Sequence, residues 1–295
     1  MRYNRILSIV LIGTAVVFAL PVNAAAVIQP TISVAGNYCF AIKNDGSLWM
    51  WNYDCNDAYE TNDIANIVSK KVADDVAATY GIAYITKDKT LYSIEEPYED
   101  AVSSVVTDNV ISVAQSNIGY ILKNDLTLWE ITDYNQETPA MRKVMRNIKD
   151  IADGRYHTVI LKTDGTAWTQ GANAYGQIGN GETDIGYASA KVMDNVRSIS
   201  AGEAVSFAVT DDDVLYKWGN NYGSYTGANE YTIAEPTIYT NDVKQVFPKV
   251  GYNLVLKTNG ELWLYGNMAT DTHSGVESWV NDRGYLWMAE IDGLP

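Results

Sequence analysis

The sequence predicts an all-β protein built from repeated hairpins, and three observations support this fold class. First, a phrase of eight residues, with an apolar start, a central turn and a terminal Trp or Tyr, occurs seven times. Second, a continuous apolar run precedes most of these phrases, as expected of a strand buried on both faces. Third, the first six terminal aromatic residues follow one another at intervals of 37 to 48 residues. Repeats of about 40 residues with several strands each indicate a β-propeller.

Each phrase predicts a hairpin at the centre of one repeat. The seven copies are IKNDGSLW (42–49), ITKDKTLY (85–92), LKNDLTLW (122–129), LKTDGTAW (161–168), VTDDDVLY (209–216), LKTNGELW (256–263) and VNDRGYLW (280–287). The Asp-Gly and Asn-Gly centres favour a two-residue type I′ turn, which needs positive φ. Lys89, Leu126 and Asp213 replace that glycine, so we expect other geometries at those three turns.

A further short strand precedes six of the hairpins, so each repeat predicts a small antiparallel sheet. These segments are TISVAG, VAATYG, VISVAQ, IKDIAD, VRSISAG and VKQVFP. Residues 138–151 have the composition of a helix, but their place within the repeat predicts strands instead.

The number of blades depends on the last repeat, because only 24 residues separate Trp263 from Trp287. The seventh hairpin forms a reduced blade, completed by residues 25–30, or it supplies outer strands to a six-bladed ring. A third reading is that the chain stops before a final element. We favour seven blades, with six as the alternative.

The amino terminus predicts a secretory signal peptide. Arg2 and Arg5 precede an apolar run at 6–20, and small residues follow up to Ala24. The run is shorter than the roughly 20 residues that span a bilayer as a helix. We therefore expect cleavage after Ala24, a single propeller domain at 25–295, and a secreted (extracellular or periplasmic) protein without a membrane span.

The charge of the chain limits its partners. The formal net charge is −15 at pH 7. Nucleic-acid binding needs Lys and Arg to meet phosphates, so a nucleic-acid partner is not expected. Acidity favours solubility or attraction to a basic partner surface.

The fourth repeat carries a longer motif, DGRYHTVILKTDGTAWTQGANAYGQIGNG (153–181). It resembles the repeat of the regulator of chromosome condensation family. The matching residues are Gly154, His157, Thr158, Asp164, Gly165, Trp168, Gly171, Asn173, Gly176, Gln177, Gly179 and Gly181. Gln170 departs from the pattern, which has Trp there, and the other repeats keep the strands but little of the glycine-rich tail.

This resemblance implies a seven-bladed propeller, but it does not imply the nuclear exchange-factor activity of the eponymous member. Fold does not fix function, and a chain predicted to be exported meets neither a small GTPase nor chromatin. A closer parallel is the secreted bacterial branch of the family. It includes propeller-type β-lactamase inhibitor proteins, which bind proteins through one face of the ring. No local motif of the chain matches their contact residues.

Nothing in the sequence predicts catalysis, a metal site or a cofactor. Both histidines lack the partners of a nucleophile–base pair: His157 occupies a structural position of the repeat, where we expect it to hydrogen-bond loop backbone, and His273 lies in a loop. No His or Cys pair has ligand spacing. The run Asp211–Asp213 sits where other repeats turn, which predicts a solvated turn rather than a calcium site.

Two cysteines, Cys39 and Cys55, flank the first hairpin. We expect Cys39 to lie opposite a residue near Trp51, so Cys55 needs a curling loop to reach it. Export permits a disulfide between the two, and the alternative is a buried Cys39 with a free Cys55.

Tyrosine is the feature that predicts binding. The chain has 21 Tyr but only four Phe, and Tyr suits surfaces that are half apolar and half wet. Six tyrosines fall in polar, glycine-containing loops: Tyr134, Tyr175, Tyr187, Tyr222, Tyr225 and Tyr231. This mixture resembles an antibody paratope and predicts recognition of an extracellular protein. A polysaccharide is the alternative partner, and the structural alternative is that each Tyr packs on turns of its own blade.

Overall fold

The computed structural model describes residues 32–35, 38–52, 69–95, 102–114, 119–133, 139–184, 186–220, 232–249, 252–266 and 285–286. Within these ranges the chain forms 24 strands and no helix, which confirms the all-β prediction. Six antiparallel sheets hold the strands, four to a sheet and in chain order.

The bounds of the strands follow the repeats. The first three sheets contain β1 (Ile32–Ala35), β2 (Tyr38–Ile42), β3 (Leu48–Asn52) and β4 (Ser69–Ala73); β5 (Val76–Thr79), β6 (Ala83–Thr86), β7 (Leu91–Glu95) and β8 (Val102–Thr107); and β9 (Val110–Ala114), β10 (Tyr120–Lys123), β11 (Thr127–Asp133) and β12 (Ala140–Arg146). The last three contain β13 (Ile148–Asp153), β14 (His157–Lys162), β15 (Ala167–Ala172) and β16 (Tyr187–Met193); β17 (Val196–Ala201), β18 (Val205–Thr210), β19 (Leu215–Gly219) and β20 (Ile233–Thr240); and β21 (Val243–Lys249), β22 (Tyr252–Lys257), β23 (Leu262–Gly266) and β24 (Tyr285–Leu286).

The stretch with helical composition forms β12 and β13, as its place in the repeat predicted. The seventh phrase supplies β24, which pairs with β23 as the fourth strand of the sixth sheet. This pairing matches the alternative in which the seventh hairpin supplies an outer strand to a six-bladed ring, rather than the favoured reduced seventh blade.

The chain divides into two compact units. The first consists of residues 1–111 and 135–139, and the second of 112–134 and 140–295. In the first unit the core lies between the first and second sheets, where Phe40 and Met50 pack with Tyr84 and Ile94. Ser33 Oγ and Thr79 Oγ1 add a buried hydrogen bond of 2.8 Å between the same two sheets.

In the second unit the cores also lie between neighbouring sheets. Every residue of β18 is buried, and so are the first five residues of β14. Phe207 and Leu215 of the fifth sheet pack with Val246 and Val255 of the sixth. A second strand covered on both faces explains why its sequence is continuously apolar rather than alternating.

The prediction of type I′ turns is wrong. In the first hairpin only Gly46 has positive φ, at 85°, whereas a type I′ turn needs positive φ at two successive residues. The Gly46 N–H donates to the Lys43 carbonyl, and the Lys43 N–H donates to the Ser47 carbonyl. This arrangement is a type I turn followed by one left-handed residue. Asp45 stabilises it, because its Oδ1 accepts hydrogen bonds from the Ser47 N–H at 2.9 Å and the Ser47 hydroxyl at 2.6 Å.

The prediction that the turns without glycine differ in geometry is also wrong. Lys89, Leu126 and Asp213 have φ values of 70°, 61° and 64°, and each donates the same backbone hydrogen bond as Gly46 does. A non-glycine residue pays about 1–2 kcal/mol for this conformation. A hydrogen bond to the following sheet offsets that cost, as described next.

The first five hairpin turns are each joined to the start of the next sheet. In each of them the carbonyl of the left-handed residue accepts the N–H of the next sheet's first strand at 2.9–3.0 Å. The five pairs are Gly46–Val76, Lys89–Val110, Leu126–Ile148, Gly165–Val196 and Asp213–Val243. The carbonyl groups of these turns therefore hydrogen-bond to the neighbouring sheets.

Candidate protein-binding surface

The meander order places two kinds of connection at opposite edges of each sheet. The second and third strands are joined at one edge by the hairpin turns described above. The other edge carries the first-to-second and third-to-fourth connections. For the fourth and fifth sheets we call its described part the loop edge (153–157, 172–184, 186–187, 201–205, 219–220 and 232–233). The connections of the two sheets meet there, because the Arg155 N–H donates to the Glu203 carbonyl at 3.1 Å.

The glycine-rich tail of the fourth repeat folds around Asn173, which is fully buried. The Asn173 side chain donates to Asn180 Oδ1 at 3.1 Å and to the Glu182 carbonyl at 2.9 Å. Its Oδ1 accepts the Ile178 N–H at 3.1 Å. One amide side chain thus closes the loop, which gives the Asn of the motif a structural role.

The same loop docks onto the fifth sheet through Gln177. The Gln177 carbonyl accepts hydrogen bonds from Ser206 Oγ at 2.8 Å and from Trp218 Nε1 at 3.0 Å. Gly179 lies against the Trp218 ring, where an added Cβ would come within 2.7 Å of Cδ1. The glycine-rich tail of the fourth repeat therefore packs the fourth sheet against the fifth.

His157 belongs to this link between the sheets. It is 1% exposed, and its Nε2 lies 2.8 Å from Ser206 Oγ. The Ser206 hydroxyl has one proton, which goes to the Gln177 carbonyl, so the imidazole donates to the hydroxyl. A nucleophile–base pair needs the opposite direction. Burial lowers the pKa of His157 to about 4, so the ring is neutral at pH 7.

The structural role predicted for His157 is confirmed, because the ring is buried and interacts with both the Ser206 hydroxyl and the Val205 backbone. Gln177 was recognised in the sequence only as a motif match, and its two partners were not anticipated. Ser206 lies 29 residues after Gln177, and Trp218 lies 41 residues after it. No local pattern in the sequence connects positions so far apart.

An ion pair and two tyrosines mark the outer part of the loop edge. Arg155 Nη1 lies 2.6 Å from Glu203 Oε1, and the Arg155 guanidinium stacks 5.1 Å from the Tyr156 ring centroid. The Tyr156 carbonyl accepts the Ala172 N–H at 2.9 Å, and Ala172 pairs with Tyr187. Tyr156 and Tyr187 thus end strands that are two inter-strand spacings apart, about 10 Å.

Among the predicted binding residues that the structure describes, Tyr187 has the more exposed side chain. It is 68% exposed at the start of β16, and Tyr156, which sequence reasoning did not single out, is 36% exposed. Tyr175 is half-buried within the tail loop, where its N–H donates to Gln177 Oε1 at 2.8 Å. Tyr134, Tyr222, Tyr225 and Tyr231 lie outside the described residues.

The remaining sequence predictions concern the cysteines and the acidic run. Cys39 lies opposite Trp51, as predicted, and its side chain is half-buried. Cys55 lies outside the described residues, so the disulfide stays a prediction. Asp211–Asp213 form a hairpin turn, in which Arg197 Nη2 lies 2.7 Å from Asp213 Oδ1. Across the described ranges, no group of three His, Cys, Asp or Glu residues could hold a metal ion.

Six four-stranded antiparallel meanders, repeated along the chain and packed face to face within each unit, define a β-propeller built from a short sequence repeat. A family model for the regulator of chromosome condensation (RCC1) repeat matches residues 148–177. The chain therefore carries the RCC1 repeat that the motif of the fourth unit predicted.

Curated relatives agree with this assignment. The regulator of chromosome condensation of Drosophila melanogaster is 34% identical over 90 residues, which is 29% of this chain and 16% of that protein. Protein RCC1 of Candida albicans is 29% identical over 113 residues, which is 32% of this chain and 24% of that protein. The matched segment thus spans no more than a quarter of either relative.

Solved structures confirm the propeller fold. Prp20p of Saccharomyces cerevisiae, described with its binding to Gsp1p and histones, superposes with a TM-score of 0.58 at 18% identity. The match covers 80% of this chain and 72% of that one. The same yeast protein bound to Kap60 gives a TM-score of 0.56 over 80% and 70% of the two chains, also at 18% identity. Six described sheets agree with the six to seven blades that the repeats predict.

Membrane spans were sought among the described residues as well. None of the elements in these ranges is a helix with the length and apolar character needed to cross a bilayer.

Proposed function

We propose that the protein is an exported binding scaffold that recognises an extracellular protein through the tyrosines of its loop edge. The observation that carries this proposal is the pair of exposed side chains Tyr156 and Tyr187. They lie at the ends of β14 and β16, on either side of Ala172 of β15, so their backbones are about 10 Å apart. Exposed aromatic side chains on a rigid framework lose little conformational freedom on binding, so they are effective anchors.

The rest of the loop edge supports a contact surface of this kind. The Arg155–Glu203 pair lies beside Tyr156 and offers polar contacts around the aromatic anchors. In the sequence, Tyr222, Tyr225 and Tyr231 lie between Gly219, where β19 ends, and Ile233, where β20 begins. The opposite edge is less available, because its turn carbonyls are used by the neighbouring sheets.

Protein recognition is favoured over other ligands by the relatives and by charge. The yeast relative is described as binding Gsp1p, histones and Kap60, all of which are proteins. With a formal charge of −15, the chain attracts a basic partner surface at low ionic strength. The expected complex is therefore weakened by salt. Export rests on the amino-terminal segment 1–24.

A pull-down from the extracellular protein of the producing culture tests the proposal. The exported chain is immobilised and washed at low and high salt. A Tyr156→Ala/Tyr187→Ala variant and a Tyr222→Ala/Tyr225→Ala/Tyr231→Ala variant remove the anchors. Ile238→Ser is the matched control, because Ile238 is 59% exposed in β20, away from the loop edge.

A protein retained by the native chain and by Ile238→Ser, released by salt and lost by both tyrosine variants, is the expected result. Retention that survives both tyrosine variants contradicts the proposal. If no protein is retained but a purified polysaccharide binds the native chain at high salt and not the tyrosine variants, the loop edge binds carbohydrate instead.

Cleavage is measured separately by determining the amino-terminal sequence of the protein recovered from the culture medium. A start at Ala25 is expected. Recovery of the intact chain from the cell pellet alone contradicts the export part of the proposal.

A further inference from the structure

A cleft opens between the outer strands of the fourth and fifth sheets, both of which belong to the second compact unit. It has a volume of about 490 Å³ and lies between β16 on one side and β19 and β20 on the other. The glycine-rich tail of the fourth repeat contributes Gly179 and Asn180 to its lining. This volume falls in the range of sites that hold small organic ligands.

The apolar part of the cleft is held in place by the core between the two sheets. Tyr216 of β19 and Val192 of β16 line the cleft, and both also pack against the buried cluster that contains Val159 and Trp218. The Tyr216 side chain is half-buried, so part of it is packed and part stays accessible. An aromatic ring fixed in this way loses little conformational freedom when a flat apolar surface stacks on it.

A hydrogen-bond donor and an acceptor lie together at the tail. Asn180 Oδ1 accepts the side-chain N–H of Asn173 at 3.1 Å and the Glu182 N–H at 3.2 Å. These bonds fix the Asn180 amide, and its own two N–H donors have no partner among the described residues. None of the ion pairs in the described ranges includes Glu235, so its carboxylate is available to accept hydrogen bonds.

Gly181 sets the position of Glu235 beside this amide. The Gly181 N–H donates to the Ala234 carbonyl at 2.9 Å, which ties the tail to β20. A Cβ on Gly181 would lie 2.9 Å from Glu235 Oε1, so the glycine leaves room for the carboxylate. The donor of the fourth sheet and the acceptor of the fifth are therefore arranged by backbone before any ligand arrives.

The charges of the cleft favour a neutral polar ligand. Lys191 and Asp194, which also line it, neutralise each other in an ion pair of 2.6 Å. Glu235 then supplies the remaining formal charge of the lining, and it is exposed. Water and salt screen an exposed carboxylate, so it holds a cation only weakly, while two carboxylates disfavour an anion. Hydroxyl groups both donate and accept, so they match Asn180 and Glu235 together.

We propose that this cleft binds a neutral sugar of the glucose type. One face of the sugar ring stacks on Tyr216, and its hydroxyls hydrogen-bond to Asn180 and Glu235. The hydroxyls of such a ring are equatorial, which leaves flat faces of C–H groups that suit the electron-rich face of an aromatic ring. Tyr156 and Tyr187 do not line the cleft, so the sugar site does not depend on the proposed protein partner.

Titration of the exported chain with cellobiose, followed by ligand-observed NMR, tests the proposal. Glucose, glucuronate and glucosamine present the same ring with no charge, a negative charge and a positive charge. Asn180→Asp keeps the oxygen that accepts from Asn173 and Glu182 but removes the two N–H donors, and Glu235→Ala removes the acceptor. Glu182→Ala is the matched control, because Glu182 is an exposed acid of the same tail that does not line the cleft.

We expect cellobiose to bind the native chain with a Kd of about 1 mM, and each cleft variant to bind about tenfold more weakly. Glu182→Ala and Tyr156→Ala/Tyr187→Ala should bind it as the native chain does, and glucose should bind more tightly than glucuronate. No binding of cellobiose at ten times the expected Kd overturns the proposal, and so does binding that both cleft variants retain. Glucosamine binding that exceeds glucose binding and disappears in salt also overturns it, because a simple acidic patch behaves in that way. The three charge forms, measured on the native chain, decide the matter even if a variant fails to fold.

Discussion

Lowering the pH should weaken the link between the fourth and fifth sheets through His157. In the folded protein burial lowers the pKa of His157 to about 4, whereas an unfolded histidine has a pKa of about 6.5. Below pH 6.5 the unfolded chain binds the proton and the folded chain does not. The contribution of His157 to the free energy of unfolding is therefore complete above pH 6.5 and falls as the pH drops towards 4.

The magnitude follows from the difference between the two pKa values. A gap of about 2.5 units corresponds to about 3 kcal/mol once both states are protonated, and to about 2.5 kcal/mol at pH 4.5. His157→Gln removes the titration but also the packing and the hydrogen bond to Ser206, so it should destabilise the protein by about 2 kcal/mol at pH 7.5. The deficit of the variant should close as the pH falls to 4.5.

Urea unfolding of the native chain and His157→Gln at pH 7.5, 6.5, 5.5 and 4.5 measures this difference. Comparing the two curves cancels all other titrating groups, including His273, which both chains contain. If the free energies of unfolding of the two proteins stay parallel across this range, His157 does not titrate with a depressed pKa and the reasoning is refuted.

Three further predictions concern stability and are measured by urea unfolding. Asp150→Asn should raise the free energy of unfolding by about 2 kcal/mol at pH 7.5, because burial raises the pKa of Asp150 to about 6 and its ionised form is costly. That gain should vanish below about pH 4, where the carboxyl is neutral in both states, and a gain independent of pH would contradict it. Gly179→Ala should cost about 3 kcal/mol, since its φ is +78° and the new methyl group meets Trp218. Gly260→Ala, with φ +92° and open space around the methyl group, should cost only about 1 kcal/mol, and equal losses would show that the Trp218 contact is unimportant.

Most of the fold was predictable because each strand of the repeat has its own local sequence pattern. Apolar runs such as 157–162 gave the buried second strands, and the spacing of the terminal aromatics gave the sheet period. The turn geometry was mispredicted because an Asp-Gly pair suits both a two-residue and a three-residue hairpin. What decides between them at the first turn is the carboxylate of Asp45, which holds the Ser47 backbone and hydroxyl.

The prediction that turns without glycine adopt another geometry failed for a different reason. Leu126 at φ 61° is unfavourable when only its own turn is considered. The bond from the Ile148 N–H to its carbonyl belongs to the next sheet, 22 residues later. Sequence reasoning that treats each hairpin alone omits this contribution, so it assigns the non-glycine turns to another class. Gln177 is the same case at the candidate site, because its partners Ser206 and Trp218 lie in another repeat.

These contacts distinguish the motif residues that are used for packing from the positions available for the proposed recognition. The tail of the fourth unit matches the family pattern because Asn173, Gln177 and Gly179 are occupied in closing a loop and docking it on Trp218. A residue that is buried and bonded within the protein in this way is a poor anchor for a partner. The sequences that join β11 to β12 and β19 to β20 depart from the pattern, and they contain four of the six predicted tyrosines. The segment between β19 and β20 keeps Asn221 of the tail but has Tyr, Gly and Ser at most of the other positions, as the proposed binding role at the loop edge requires.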